Sequence, residues 1–433
     1  MRKKFGKIVF IGLMVALASN IVGCGGKDTA QEKSVNNTTK VITLKDLENV
    51  QPAKEIIFWS TDKTSFKKVS DEFEQKTGIK VVGTYMGGYD DMVNKVMAGI
   101  RSKNLPDVAQ LGQRHGLSQM YDSKALLPIE KFVSKELVGD ILPEFWKRFT
   151  YKNEKLILPF QNSMPVVYYN KTLFENAGVK PPTTFEELQK TAEIIKKQTG
   201  VSGFSTDKDT PWYINALVYN NKGNLVSNDN KSTFNTKEVA DVFKAYADMS
   251  AKGVMPKAQH NTAVEDFSNG QIGMVMASCA SYKKITSLVG DKFEVGVAMF
   301  PKTATMDIPM GGNGLGVFNT TPEKVKAAVM FVEFMLDKDR VAANTLNSGY
   351  IPVTRAALKT EAYQKYLTDP NRAIVHEQLQ YLGGRSVNPA DSTIWNEIQK
   401  IVEKVEVESN VNLEKILKEA DEKVQNYLKG YKG

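Results

Sequence analysis

Short apolar runs alternate with helically spaced apolar residues in the first part of the chain. Three runs rich in aliphatic residues are typical of buried strands, and the segments between them repeat apolar residues every three or four positions. This alternation favours a parallel α/β sheet, whose ligands lie beyond the carboxyl ends of the strands. The predicted strands are residues 55–60, 79–85 and 107–111, and the predicted helices begin at Phe66 and Tyr89.

The pattern continues in the second half of the chain. Thr184 and Glu187 form a capping box, and Gly200 ends the helix that they start. Asn235 and Glu238 are predicted to cap another helix in the same way. The further predicted elements are strands at 166–169, 272–277 and 294–300, a helical region opened by Asp391, and a closing amphipathic helix at 413–428.

One stretch breaks both patterns. Pro159 and Pro165 each fix φ and remove a backbone donor, so the residues between them cannot be the interior of a helix. The apolar run that follows is typical of a buried strand. We predict that the chain here crosses between two lobes; the alternative is an ordinary loop that enters a strand. The polar side chains between the prolines, which can donate and accept hydrogen bonds, are Gln161, Asn162 and Ser163.

Two further stretches are candidate crossings. Residues 310–318 are rich in glycine and invite comparison with a nucleotide-binding loop. Such a loop runs from a strand into a helix, whereas here the glycines precede the strand and the next helix starts only at Pro322. Bare backbone at Gly311 and Gly312 instead suits the close approach of a ligand. Residues 349–354 form the third candidate crossing.

Length and charge exclude some classes of protein. The chain has 433 residues, which exceeds the size at which one core usually splits into two. Of its 57 lysines and arginines, four stand in the first 23 residues, which contain no acid. The other 53 face 49 acidic residues, an excess that is too small and too scattered to predict binding to nucleic acid.

The sequence shows no catalytic or metal-binding pattern. The three histidines, His115, His260 and His376, lack metal-ligand spacing. No Ser/His/Asp or Cys/His arrangement can be assembled, and no short carboxylate motif of a glycosidase occurs, although such acids are recognised by geometry. We predict no cofactor, no metal and no enzymatic activity.

The amino terminus has the three parts of a secretory signal. A basic start, an apolar run at 8–18 and small residues before a cut make up residues 1–23. The run is too short to predict a transmembrane span. The four residues that end in Cys24 match the bacterial lipobox, which predicts a lipid on this thiol and an anchor at the outer face of the cell membrane. Residues 24–53 are predicted to be a polar tether, with a short ordered piece at 41–50.

Taken in order, these pieces resemble the family 1 extracellular solute-binding proteins of carbohydrate-type ABC importers. The resemblance implies an α/β, two-lobed periplasmic-binding-protein fold of type II, with a ligand cleft between lobes that are joined by hinge crossings. It places the first lobe at 54–162 and 310–351, and the second lobe at 163–309 and 352–433. The pieces that carry it are Phe58-Trp59, the Gly-Gly turn before Tyr89, the crossing at 159–166, the segment 267–281, the glycine-rich return and residues 349–352.

The resemblance also implies ligand contacts. The contact positions of the members that bind glycerol 3-phosphate map onto Tyr89, Ser163, Ser281, Gly312 and Tyr350. Two positions differ. Where those members carry an acid, this chain has Gln113 or Arg114, and their arginine in the last helical region has no counterpart near residues 393–395. Because Arg114 is then the one candidate cation in the predicted cleft, we predict a neutral sugar.

Aromatic rings at strand ends and helix starts are candidate sugar platforms, because sugars present flat apolar faces. Trp212 and Trp395 are the main candidates, whereas Trp146 is predicted to pack in the core. The full predicted set of ligand-binding residues is Trp59, Tyr89, Gln113, Arg114, Gln161, Asn162, Ser163, Trp212, Ser281, Gly311, Gly312, Tyr350 and Trp395.

The first hypothesis is a monomeric, lipid-anchored extracellular protein that captures a mono- or oligosaccharide and delivers it to ABC permease subunits. A receptor for glycerol 3-phosphate or a related polyol phosphate is the nearest alternative. Two alternatives come from other classes: a secreted carbohydrate-active hydrolase and a structural surface lipoprotein or adhesin. Turnover of an oligosaccharide would favour the hydrolase, and failure to bind any small solute would favour the structural protein.

Overall fold

The computed structural model describes residues 40–63, 66–112, 116–257, 260–408 and 411–432. The predicted signal segment, Cys24, Gln113 and Arg114 lie outside the described residues. The strands are β1 Glu55–Ser60, β2 Lys80–Tyr85, β3 Val108–Gly112, β4 Thr150–Tyr151, β5 Glu154–Lys155, β6 Leu158–Ser163, β7 Pro165–Asn170, β8 Ser202–Thr206, β9 Ile272–Ser278, β10 Val295–Ala298, β11 Ile308–Pro309, β12 Gly311–Val317 and β13 Leu382–Gly383.

The helices connect and cover these strands. In chain order they are α1 Phe66–Thr77, α2 Tyr89–Ser102, α3 Leu117–Asp122, α4 Lys135–Asp140, α5 Pro143–Lys147, α6 Lys171–Ala177, α7 Phe185–Thr199, α8 Thr210–Asn220, α9 Lys237–Ala251, α10 Ala263–Ser268, α11 Tyr282–Val289, α12 Pro322–Met335, α13 Lys338–Ser348, α14 Arg355–Leu358, α15 Glu361–Tyr366, α16 Pro370–Glu377, α17 Asp391–Val407 and α18 Leu413–Gly430.

The first sheet has the strand order β2-β1-β3-β12-β6. β1 pairs in parallel with β2 and β3, as the alternation of strand and helix predicted. β12 is inserted between β3 and β6 and runs antiparallel to both, which the sequence pattern did not indicate. Phe58 of β1 and Leu111 of β3 are buried in the core of this sheet.

The second sheet has the order β10-β7-β9-β8. β7 is antiparallel to β9 and β10, and β8 is parallel to β9. Tyr168, Phe204 and Met276 are buried within it, which agrees with the aromatic and β-branched runs that predicted these strands. We call each sheet, with the helices packed on it, a lobe. The residue boundaries given above for the two lobes stay a prediction.

The ends of the helices follow local chemistry. The predicted capping box is present, because Thr184 Oγ1 accepts from the Glu187 amide at 3.1 Å and the Glu187 carboxylate accepts from the Thr184 amide at 3.2 Å. Gly200 ends α7 in the left-handed conformation, with φ of 78°. The prediction for α9 was wrong by one residue, since Thr236 occupies the N-cap and makes no side-chain cap bond.

One single-residue link joins the two sheets, and another joins β12 of the first sheet to the separate two-stranded sheet of β11 and β13. Met164 alone separates β6 from β7, and Met310 alone separates β11 from β12. The third connection runs beside the first, because the Ile351 amide donates to the Asn162 carbonyl at 2.7 Å. The three predicted crossings therefore lie side by side.

Residues 41–53, the end of the predicted tether with its predicted ordered piece at 41–50, pack on α12. Ile42 and Leu47 are buried, and residues 44–47 form a 3₁₀ turn. Lys326 Nζ donates to the Leu47 carbonyl at 3.0 Å and to the Val50 carbonyl at 2.9 Å. The burial of these two apolar side chains and the hydrogen bonds from Lys326 to the two carbonyls hold this segment on α12.

The last two helices pack side by side on the second lobe. Glu406 of α17 accepts from the Tyr246 hydroxyl at 2.8 Å and contacts His260 Nε2 at 2.8 Å. α18 buries the apolar stripe Ile416, Leu417, Ala420 and Val424. In the part of the chain that the structure describes, no helix combines the length and the apolar composition that crossing a bilayer requires.

Candidate functional site

The ends of strands from the two sheets meet at the crossings. β1 and β3 end there at Ser60 and Gly112, and β6 ends there at Ser163. On the other side β7 begins at Pro165, which pairs with Ser278 at the end of β9. The strand ends that the sequence analysis predicted as a ligand site therefore converge, and a second set of strand ends faces them.

A buried amide network occupies the first-lobe side of the crossings. Gln110 Nε2 donates to Gln161 Oε1 at 2.7 Å, and Asn313 Nδ2 donates to the same oxygen at 3.2 Å. Gln161 Nε2 donates to Asn344 Oδ1 at 3.1 Å. Asn313 Nδ2 also donates to the hydroxyl of Tyr89 at 2.8 Å. The network holds each amide in one orientation, so its remaining polar atoms point in defined directions.

Two oxygens of this cluster lack partners among the described residues. Asn162 Nδ2 donates to the carbonyls of Gly311 and Asn313 at 3.2 and 3.3 Å, but its Oδ1 is buried with no hydrogen bond. Asn313 Oδ1 is likewise buried and has no hydrogen-bond partner among the described residues. A buried polar atom without a partner is costly, so two such acceptors at a crossing favour a donor such as a hydroxyl group.

Tyrosines close the cluster on the cleft side. The ring of Tyr89 lies over Gly112, where an added Cβ would approach the ring to 2.9 Å. Tyr350 is half-buried and hydrogen-bonded to Tyr89. Burial, followed by the neighbouring Tyr89, raises the pKa of the Tyr350 phenol, which therefore stays protonated and can donate.

Trp212 covers the glycine-rich return. Its Nε1 donates to the Pro309 carbonyl at 3.1 Å, and an added Cβ on Gly311 would lie 2.6 Å from its ring and 3.0 Å from Ser163 Oγ. Only 8% of Trp212 is exposed. Trp212 is thus largely a packing residue in this structure. It does not present an open face of its ring to a sugar here, as a platform would.

Trp212 and Trp395 nevertheless line one cavity. This cavity has a volume of about 30 Å³, which is room for one or two water molecules, so a sugar ring could enter it only if the walls moved apart. Arg148 lines it too. Arg148, which was not predicted from sequence, is buried here and is a further candidate cation, whereas the predicted Arg114 lies outside the described residues.

Arg148 is poorly satisfied. Its Nη1 donates to the Arg385 carbonyl at 3.4 Å, and its Nε is buried without a hydrogen-bond partner among the described residues. Asp391 lies in the wall of the same cavity and supplies a compensating negative charge. Arg385 itself is ion-paired with Asp307 at 2.7 Å and stacks on Tyr219.

The remaining predicted residues are spread around this centre. Ser163 is 3% exposed beside Gly311, and Ser281 is half-buried at the start of α11. Trp59 is half-buried in β1 and packs against the core. Trp146 is 4% exposed, as predicted for a packing residue.

A larger cavity lies at the margin of the cluster. It has a volume of about 560 Å³ and runs between α1 and α13, with Phe66 and Phe160 on its floor. Gln161 and Asn344, two members of the amide network, also line it.

Sequence reasoning missed Gln110 and Asn313. Each interrupts an otherwise apolar or glycine-rich strand, and a polar residue at a fully buried strand position is the signal that could have found it. Within the described ranges no three histidine, cysteine, aspartate or glutamate residues are placed to hold a metal. The cluster offers hydroxyls, amides and backbone groups that can donate and accept hydrogen bonds.

A family model described as "Bacterial extracellular solute-binding protein" matches residues 68–371, more than half of the chain. The chain belongs to this family. The ligand site of this solute-binding protein, which the resemblance implied between two lobes, stays a prediction.

A curated relative supports the assignment. The sn-glycerol-3-phosphate-binding periplasmic protein UgpB of Escherichia coli is 26% identical to this solute-binding protein over 362 residues, which cover 76% of the chain and 82% of the relative.

Solved structures show the same fold. UgpB from Mycobacterium tuberculosis in complex with glycerophosphocholine superposes with a TM-score of 0.77 at 20% identity, over 87% of this solute-binding protein and 99% of that chain. The cyclic alpha-maltosyl-1,6-maltose binding protein from Arthrobacter globiformis superposes with a TM-score of 0.75 at 22% identity. This match covers 88% of this solute-binding protein and 100% of that chain. These structures are two-lobed, so the two-lobed α/β prediction is confirmed.

Proposed function

We propose that this solute-binding protein captures a neutral mono- or oligosaccharide in its cleft and delivers it to the permease subunits of an ABC importer. The observation that carries the proposal is the buried amide and tyrosine cluster at the crossings. Its Asn162 and Asn313 oxygens lack donors, and the phenol of Tyr350 can donate. Sugar hydroxyls both donate and accept, so they complement this set better than a phosphate, which only accepts at neutral pH.

A polyol phosphate is the second candidate. The relative UgpB is named for glycerol 3-phosphate, and Arg148 supplies a buried guanidinium whose Nε has no partner. Guanidinium groups are common partners of phosphate oxygens. Against this candidate, Asp391 shares the cavity with Arg148, and its carboxylate would repel a phosphate bound there.

Calorimetry separates the two candidates. Maltose, maltotriose and a panel of neutral monosaccharides are titrated beside sn-glycerol 3-phosphate at low and high salt. We expect at least one neutral sugar to bind about tenfold or more tightly than the phosphate ester, with little salt dependence. Salt-sensitive binding of the phosphate ester, weakened in both Arg114→Ala and Arg148→Gln, would contradict the proposal and establish the second candidate.

The same experiment addresses catalysis. The relatives are binding proteins, and the proposal assigns no turnover to this chain. Maltotriose recovered unchanged after prolonged incubation is the expected result, whereas its hydrolysis would favour the secreted hydrolase.

We propose further that a lipid on Cys24 holds the protein at the outer face of the cell membrane. The lipobox at residues 21–24 and the preceding signal-like segment support this anchor. In cells fed a labelled fatty acid, we expect label in the wild type and none in Cys24→Ala, which should also leave the membrane fraction. Unlabelled wild-type protein would exclude the anchor; Cys279→Ala, at a buried thiol, is the matched control and should keep its label.

A further inference from the structure

The carboxyl-terminal helix α18 contacts both lobes. Its first turns belong to the second lobe, because they bury the apolar stripe against α9 and α17. Asp421 Oδ1 also accepts from Ser232 Oγ at 2.7 Å and from the Phe234 amide at 3.0 Å. Gln425 Oε1 accepts from the Ser232 amide at 3.1 Å. These bonds fix α18 on the second lobe.

The end of α18 and the residue that follows it reach the first lobe. Tyr427 accepts a hydrogen bond from Gln119 Nε2 of α3 at 3.0 Å. The Tyr431 hydroxyl donates to Asp122 Oδ2, at the end of α3, at 2.7 Å. The two tyrosine rings stack with centroids 6.1 Å apart. α3 belongs to the first lobe, since the loop after it pairs with β12 through the Leu127 amide and the Val317 carbonyl.

Asp122 receives donors from within the first lobe as well. The Tyr151 hydroxyl donates to its Oδ2 at 2.9 Å, and Lys152 Nζ pairs with its Oδ1 at 2.7 Å. Burial alone would raise the pKa of Asp122, but the hydrogen bonds from Lys152, Tyr431 and Tyr151 outweigh it and lower that pKa. The carboxylate is therefore charged at neutral pH and is a strong acceptor.

Both sides of this contact are linked to elements that lie at the crossings. Lys423, near the end of α18, pairs with Glu397, which is in the second turn of α17. The first turns of α17 also carry Trp395, which lines the cavity beside the crossings. α3 starts five residues after the end of β3, whose carboxyl end lies at the crossings. Rotation of the lobes about the crossings therefore changes the distance between Tyr431 and Asp122.

We propose that Tyr427 and Tyr431 form a strap that holds the two lobes together in the closed conformation and so sets how tightly solute is retained. An interaction that forms in only one of two conformations stabilises that conformation relative to the other by its whole free energy. It therefore raises the population of the conformation in which it forms. A hydrogen bond to a charged acceptor is the strongest single link in this strap. The proposal rests on the capture of a solute between closing lobes, but the strap can be tested with no solute present.

The test compares two hydroxyl deletions on one carboxylate. Tyr431→Phe removes the inter-lobe bond to Asp122, whereas Tyr151→Phe removes an equivalent bond within the first lobe. Small-angle scattering without solute should give a larger radius of gyration for Tyr431→Phe than for the wild type, and an unchanged value for Tyr151→Phe. Gln119→Leu breaks the other inter-lobe bond and should act in the same direction if Tyr431→Phe does not fold.

Solute binding is the second measurement. Maltotriose and sn-glycerol 3-phosphate are the probes, and the one that binds the wild type should bind Tyr431→Phe about tenfold more weakly, through a faster off-rate. Equal radii of gyration for the wild type, Tyr431→Phe and Tyr151→Phe would overturn the proposed strap. An increase for Tyr151→Phe as large as that for Tyr431→Phe would overturn it too. If neither probe binds the wild type, the choice of solute fails, and the scattering result still decides the strap.

Discussion

Replacing Gly312 by alanine is expected to destabilise the protein by at least about 3 kcal/mol and to abolish solute binding. Gly312 has φ of 95°, a conformation that residues with a side chain rarely adopt. An added Cβ would lie 1.9 Å from the Gln161 carbonyl oxygen, which is backbone and cannot swing away. The second crossing would have to move away from the first, and the amide cluster would lose its geometry.

Gly139→Ala is the matched control. Gly139 lies within α4, and a Cβ added there meets nothing within 4 Å. We expect this variant to keep the wild-type melting temperature or to gain slightly, because alanine is the better helix former. Thermal unfolding and calorimetry check both variants. Equal melting temperatures for Gly312→Ala and the wild type would show that the crossing tolerates a side chain and that the strain argument is wrong.

Asp207→Asn is expected to stabilise the protein in a way that depends on pH. Burial, followed by the neighbouring Asp209, raises the pKa of Asp207 from 3.8 to about 7. Part of the residue reaches the surface, yet its Oδ1 is enclosed by the Tyr213 hydroxyl at 2.7 Å and the Asp209 amide at 2.9 Å. Asparagine keeps an acceptor for both bonds.

The sign of this pH dependence follows from the difference in proton binding by Asp207 between the folded and the unfolded state. The unfolded carboxyl ionises near pH 4, whereas the folded one stays protonated up to about pH 7. Between these values the unfolded state alone has lost its proton, so the wild type loses stability as the pH rises. Asparagine resembles the protonated form, and its advantage should grow over this interval to the order of 2–4 kcal/mol and then level off.

Chemical denaturation at pH 5, 6, 7 and 8 measures this advantage. Asp241→Asn, at an exposed carboxylate of α9, removes one charge without burial and is the control. Its stability relative to the wild type should change little across the series. A constant difference between Asp207→Asn and the wild type at all four pH values would contradict the raised pKa.

Much of the fold could be predicted because local chemistry decides it. The strands at 55–60 and 272–277 each contain a continuous apolar run, and the Thr184–Glu187 box leaves one start for α7. The position of β12 could not be predicted in the same way. Its pairing with β3 joins residues about 200 positions apart, and no local pattern records which strands become neighbours.

The candidate site was predicted where residues lie at strand ends or crossings. Gln161, Asn162 and Tyr350 stand out in the sequence by their flanking prolines and glycines, and the structure brings them together. Arg148 was missed because it comes just after a short helix with no neighbouring signal, and it reaches the cavity only through tertiary packing. Trp212 was predicted as a platform because sequence cannot show that Gly311 lies beneath its ring.

The place of β12 in the first sheet also constrains the order of folding. Every strand of the second sheet lies within residues 165–298, so that sheet can complete from one continuous segment. The first sheet cannot, because β6 pairs with no strand of that sheet except β12, which comes nearly 150 residues later in the chain. Closing so long a loop is slow. The first lobe, whose strands begin first along the chain, is therefore the lobe whose sheet forms its last strand pairs after those of the second lobe.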